Sequence, residues 1–155
     1  MKILFMHSKN LRIEADISGR TPGKRKKAET KLRRKFGDCL PLLDASNQIT
    51  ESANALLALV CIEKDDQSLD LVVVRDDIIK AKALLGVQDI VISAFGHLSE
   101  NVAEAAIANQ VLDLLSKLVQ AACNNVKIVP FGWDKKLDIH IPLHPYNCAL
   151  RSFSA

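Results

Sequence analysis

The chain has 155 residues, 48% of them apolar and 25% charged, with a formal net charge of +3. That balance suits one globular domain with an aliphatic core, since only seven residues are aromatic. No apolar run approaches the roughly 20 residues that a membrane helix needs. Ile3-Leu4-Phe5-Met6 is too short for a secretory signal core, and Cys39, Cys61, Cys123 and Cys148 lack CxxC spacing. The sequence therefore reads as a cytoplasmic protein with free thiols and no membrane partner.

The charge is segregated. Nine Lys/Arg and one acid, Glu29, fall between Arg20 and Lys35, which leaves the rest of the chain at net −5. A basic segment of this kind, with Lys24, Arg25, Lys26, Lys27, Arg33 and Arg34 at its heart, suits a polyanion such as RNA. A solvated loop without a partner is the plainer alternative.

In chain order, Lys2 to His7 reads as a buried strand and Leu11 to Ile17 as a half-buried one, joined in a hairpin by Ser8-Lys9-Asn10. A loop from Ser18 to Gly23 leads to a short basic helix over Ala28–Lys35, stopped by Phe36-Gly37-Asp38. Pro41 to Ser52 is turn-rich. Ala53 to Glu63 predicts a central strand with Cys61 buried in it. Asp70 to Leu85 has helical spacing and ends at Gly86; Gln88 to Phe95 is the next strand. Helix then strand implies a crossover and parallel pairing. Ser99 is the expected N-cap of a long helix over Asn101–Cys123, which would put His97 at a helix N-terminus. Val126 to Val129 and Leu137 to Ile141 predict two strands side by side, and the tail after Pro145 carries no clear element.

Two strand ends rhyme. One closes in Ala94-Phe95-Gly96-His97, the other in Pro130-Phe131-Gly132-Trp133-Asp134-Lys135. Glycine permits backbone angles that expose main-chain groups, and ligands of open α/β sheets sit beyond the carboxyl ends of strands. There is no GxGxxG and no P-loop, so no nucleotide cofactor is expected.

These residues resemble the N-terminal editing domain of archaeal threonyl-tRNA synthetases. The resemblance runs from the strand closing in His7-Ser8, through Glu63-Lys64 and Phe95-Gly96-His97-Leu98-Ser99, to Pro130-Phe131-Gly132, Lys135 and His144-Pro145. The basic segment, about residues 19–36, is the poorest match and reads as an insertion. The resemblance implies one α/β domain over residues 1–155, a mixed sheet with two main helices in the D-aminoacyl-tRNA deacylase-like fold, and a homodimer. It implies hydrolysis of serine wrongly esterified to threonine tRNA, assisted by the terminal 2′-hydroxyl of the tRNA. Synthetase catalytic and anticodon-binding domains would lie on the same or a separate chain.

By the same resemblance, Lys135 is a fixed cation that orients water, and His97 holds a substrate hydroxyl or the ribose. Ala94, Phe95, Gly96, Pro130, Phe131, Gly132, Trp133, Asp134, Cys61, His144 and Cys148 are the expected substrate contacts. Two positions depart from the family: Asp134 stands where an aromatic residue is common, and Cys148 near an expected acid. Double-sieve logic explains the chemistry, because a missing methyl is worth only about 1–3 kcal/mol of discrimination.

Four rival readings follow from the residues or from the fold. His140-x3-His144-x3-Cys148 has ligand spacing, but Pro142 and Pro145 break the helix it would need, so no metal is expected. Cys148 beside His144 suggests a thiol nucleophile, without a visible orienting partner. Removal of D-amino acids from tRNA and a non-catalytic RNA-binding module complete the set.

Overall fold

In the computed structural model, which describes residues 1–16 and 21–154, the expected amino-terminal hairpin is a single strand, β1 (Lys2–Ala15). Asn10 adopts a left-handed backbone (φ 51°), which bends the strand without reversing it. Pairing with β2 (Ile49–Cys61) keeps one register on both sides of the bend, from Lys2 opposite Cys61 to Glu14 opposite Ile49. Ile17, the expected end of the second strand, and the adjoining Ser18, Gly19 and Arg20 lie outside the described residues.

The remaining elements are α1 (Pro22–Phe36), α2 (Leu71–Leu85), β3 (Asp89–Ala94), α3 (Ala105–Ala122), β4 (Val126–Ile128), β5 (Lys135–His140) and β6 (Cys148–Ser152). The sheet order is β4-β3-β2-β1-β5, with β6 also on β1. Strands β2, β3 and β4 run parallel, as a helical crossover requires, while β1 is antiparallel to its neighbours. The mixed single-domain α/β architecture agrees with expectation, with a third helix, α1, longer than the short basic helix foreseen.

Local chemistry explains the ends of α2. The Asp70 carboxylate accepts from the Val72 N–H at 2.9 Å, and Gly86 (φ 62°) closes the last turn. α3 begins four residues later than its periodicity suggests. The Ser99 hydroxyl donates to Glu63 Oε1 (2.5 Å) and its oxygen accepts from the Asn101 N–H (3.1 Å), but the chain stays extended after it. Val102 bridges to Glu63, and the Ala103 N–H donates to the Ile62 carbonyl at 3.0 Å. This extended pairing prolongs the end of β2 and delays the helix.

Two further expectations are corrected. β5 pairs with β1, with Leu137 opposite Ile13, and does not lie beside β4. The tail is a real strand: β6 pairs with the first half of β1, Cys148 opposite Met6 and Ser152 opposite Lys2. Period-2 alternation marks a strand but not its partner.

The core has two faces. Ile3, Phe5, Leu56, Ala58, Val60 and Ile92 pack against Val74, Ile78, Val111 and Leu115 of the helices. On the opposite face Leu57, Leu59 and Val91 meet Leu11, Ile13, Leu137 and Ile139, so the bent end of β1 curls β5 over the sheet. Each fully buried Leu or Ile contributes about 1.5–3 kcal/mol.

Candidate active site

The parallel register of β3 and β4, Ile92 beside Ile128, brings the two Phe-Gly strand ends together. They wall a cavity of about 780 Å³ at the carboxyl end of the sheet. Ala94, Phe95, Gly96 and His97 line one side; Phe131, Gly132, Trp133, Asp134 and Lys135 line the other. The floor is Leu59, Val60 and Ser93 of the strands, and α3 contributes Ala105 and Ala108.

Lys135 opens β5 and is half-buried in this wall. Its ammonium donates to the Trp133 carbonyl at 3.1 Å. Burial lowers its pKa to about 8, partly offset by the Asp134 carboxylate. The expected fixed cation is thus a group that titrates just above neutrality. Asp134 itself is exposed.

The loop before Lys135 is rigid for stated reasons. Gly132 has φ 80°, and a β-carbon there would meet Leu40 Cδ1 at 2.9 Å and Phe36 Cγ at 3.1 Å. Trp133 is buried and its indole N–H donates to the Pro41 carbonyl at 2.9 Å. The backbone N–H groups of Phe131, Gly132 and Trp133 make no hydrogen bond among the described residues, which leaves them available as donors.

His97 sits on a 3₁₀ turn (Gly96–Leu98), not at the head of α3 as expected. It is exposed, and its ring stands edge-on to Phe95 with 5.3 Å between centroids. Beside it lies a shallower recess lined by Lys2, Glu63, Ser99 and Asn101.

Four of the expected contacts fall elsewhere. Pro130 is buried behind the wall. Cys61 lies beneath the Gly96 turn, its thiol 3.8 Å from the Gly96 carbonyl. Burial, then the Glu63 carboxylate, pushes that thiol's pKa up, which keeps it protonated and unreactive. His144 and Cys148 do not line the cavity. Cys148 is exposed at the start of β6, and His144 packs against His7. The segment from His140 to Cys148 is strand, turn and strand, so the helical ligand spacing never forms.

Besides the floor residues, sequence reasoning missed Lys35 and Phe36, which line the cavity from α1. Phe36 stands edge-on to Phe131 at 5.6 Å. The signal was present, because Phe36-Gly37 is a third Phe-Gly pair.

The fold defines the class first: a D-aminoacyl-tRNA deacylase-like α/β domain with its cleft at the carboxyl ends of parallel strands. The solved structure of "c-Myc DNA Unwinding Element Binding Protein" superimposes with a TM-score of 0.66 over 100% of both chains at 10% identity, a likeness of fold alone. A family model described as the Archaea-specific editing domain of threonyl-tRNA synthetase matches residues 39–153, and the chain belongs to that family.

Curated relatives agree. The threonine--tRNA ligase of Methanobrevibacter smithii is 27% identical over 100% of this chain. Those of Thermofilum pendens and Methanococcus maripaludis are 29% and 30% identical over 95% of it. The chain spans only 21–23% of the length of these relatives. The matched family residues begin at 39, after α1.

Proposed function

We propose that this domain hydrolyses the ester linking serine to the terminal ribose of threonine tRNA, and spares threonine. The observation that carries this reading is the convergence of His97, Lys135 and the Phe131–Trp133 main chain on one cavity. Ester hydrolysis needs a positioned water, donors for the developing oxyanion and a route for a proton. The Lys135 ammonium orients the water. With a pKa of about 8 it is about nine-tenths protonated at pH 7. The free N–H groups of Phe131, Gly132 and Trp133 receive the oxyanion. His97, on the opposite wall, holds the ribose or the serine hydroxyl. The neighbouring 2′-hydroxyl of the substrate relays the proton, so no carboxylate base is required.

Selectivity follows from the walls. A cavity fixed by Gly132 and by main chain cannot widen easily, so the extra methyl of threonine displaces the ester from the donors. The deciding experiment compares deacylation of Ser-tRNA and Thr-tRNA, both on threonine tRNA. Rapid loss of serine with threonine retained supports the reading; equal rates, or no hydrolysis, refute it. The likeness of fold favours one second reading, removal of D-amino acids, and D-aminoacyl-tRNA in the same assay separates the two.

On this proposal residues 1–155 form the editing unit of a cytoplasmic synthetase whose catalytic and anticodon-binding domains lie on the same or a separate chain. The unit pairs as a homodimer through the exposed apolar residues Ile141, Leu143, Tyr146 and Leu150 near the β5–β6 edge. Sedimentation of the isolated domain tests that pairing.

A further inference from the structure

Helix α1 carries eight Lys/Arg, a single acid and no buried residue. Its inner stripe, Ala28, Leu32 and Phe36 at four-residue spacing, is only half-buried. The anchor lies at the carboxyl end. There Phe36 packs on Phe131, and the Arg33 guanidinium sits 6.0 Å from the centre of the Trp133 ring. Lys35 and Phe36 belong to the cavity wall itself.

The helix opposes its own electrostatics. Lys24, Lys27, Lys31, Arg34 and Lys35 are exposed and recur at three- and four-residue spacing, where like charges destabilise a helix. Its first turn has no acid and bears Lys24 and Arg25 against the positive end of the macrodipole. Within the helix the single acid is Glu29, and it pairs with Arg33 at 2.9 Å. A polyanion laid along the helix removes this repulsion.

We infer that α1 is an RNA-binding arm that holds the phosphate backbone of the strand whose end enters the cavity. The inference rests on the reading of the cavity given above. Length argues for a strand in place of a free nucleotide. Lys24 lies roughly 17 Å along the helix axis from Lys35 at the cavity wall. A ligand touching both must extend well past the reacting ester. The contact also has a mechanical side. The same helix turn that meets the RNA packs on Trp133, whose carbonyl holds Lys135. Arg33 and Phe36 are thereby positioning residues for the Lys135 wall.

The test uses a variant with Lys24→Gln, Lys27→Gln, Lys31→Gln and Arg34→Gln, all outside the cavity wall. Glutamine keeps helix propensity, and circular dichroism checks the fold. Uncharged tRNA is titrated by fluorescence anisotropy between 50 and 200 mM salt. The log–log salt slope is expected to fall by roughly 3 to 4, at about 0.9 per lost phosphate contact, with at least about tenfold weaker binding at 100 mM. An unchanged slope and affinity overturn the inference.

Deacylation gives a second readout. The variant is expected to lose about tenfold or more in kcat/KM on full-length Ser-tRNA, and nothing on serine esterified to a three-nucleotide 3′ fragment. Equal loss on both substrates means that α1 only shapes the cavity, and overturns the RNA arm. If the unaltered domain hydrolyses neither substrate, the activity reading fails, while the anisotropy result still decides α1.

Discussion

The Lys135 ammonium donates to the carbonyl of Trp133 at 3.1 Å, and Trp133 is itself pinned through its indole N–H to Pro41. The charge is thus held by a neutral acceptor in a largely buried position, and that burial, only partly offset by the Asp134 carboxylate, is why its pKa falls to about 8. Lys135→Met is expected to cut Ser-tRNA deacylation by about 100-fold or more, the usual cost of losing one stabilising donor. In the unaltered domain the rate above background is expected to hold through pH 7 and to fall as pH rises through about 8.

The same burial carries a stability cost. Below pH 8 the lysine is charged both folded and unfolded, and the folded state bears the full penalty of the buried charge. Between about 8 and the ordinary value of 10.5 the folded amine is neutral while the unfolded one is still protonated, so the unaltered domain gains stability as pH rises. Lys135→Met is therefore expected to unfold at a higher temperature at pH 7. The gain is at most on the order of 3 kcal/mol and shrinks towards pH 10. Paired melting curves at the two pH values check this.

Gly132→Ala is expected to destabilise the domain by about 1–3 kcal/mol, through a forced positive φ and contact with Phe36 and Leu40. Because Phe36 belongs to α1, the strain should undock that helix first. The expected signs are faster trypsin cleavage within α1 and red-shifted Trp133 emission. Unchanged cleavage and emission would mean that the loop relaxes elsewhere.

His144 is expected to matter for stability and not for chemistry. Its Nδ1 accepts from the Tyr146 N–H at 3.2 Å, which leaves its Nε2–H to donate to His7 Nδ1 at 2.7 Å. His7 Nε2–H then donates to the side-chain Oδ1 of Asn54 at 2.7 Å. His144→Ala leaves the buried His7 with an unpaired nitrogen and should cost about 1–3 kcal/mol in urea unfolding. Deacylation should stay within about twofold of the unaltered rate, since the ring does not line the cavity. A large kinetic loss at intact stability would return His144 to the site.

Asp89 ties the opposite end of the sheet. Burial alone would raise its pKa. Hydrogen bonds from Lys127 (2.8 Å) and Ser52 (2.7 Å) outweigh that, and the net effect holds it below the usual value of 3.8. Its contribution is present above pH 4 and is lost as pH falls through the lowered folded value. Asp89→Asn is expected to cost about 1.5–3 kcal/mol at pH 7. The gap to the unaltered domain should close on acidification, as read by melting temperature across pH 2 to 7.

Much of the cavity could be read from the residues because helix-then-strand order forces β3 and β4 parallel, so their closing Phe-Gly pairs had to be neighbours. The pairing of β5 and β6 was hidden. Alternation in Leu137–Ile139 fixes which side chains point inward, while the edge they join depends on the bend at Asn10. His97 was placed at a helix start because Ser99 has cap chemistry. The Ser99 oxygen does accept from the Asn101 N–H, yet Val102 and Ala103 pair with the end of β2, a long-range contact that no local pattern reveals. As substrate contacts, His144 and Cys148 were implied by the family resemblance, and the turn through Pro142 and Pro145 carries them to β1. Phe36 reads as a helix stop because it closes a run of charged, solvent-facing residues, and only the docking of α1 on Phe131 brings it to the cavity.

The pairing of Lys2 with Ser152 also sets the order in which the chain can fold. The first half of β1 must wait for residues near position 150 before its outer edge is satisfied. Closing so long a loop is entropically slow. Until β6 is made that edge stays open, and an open strand edge is a template for pairing with a second copy.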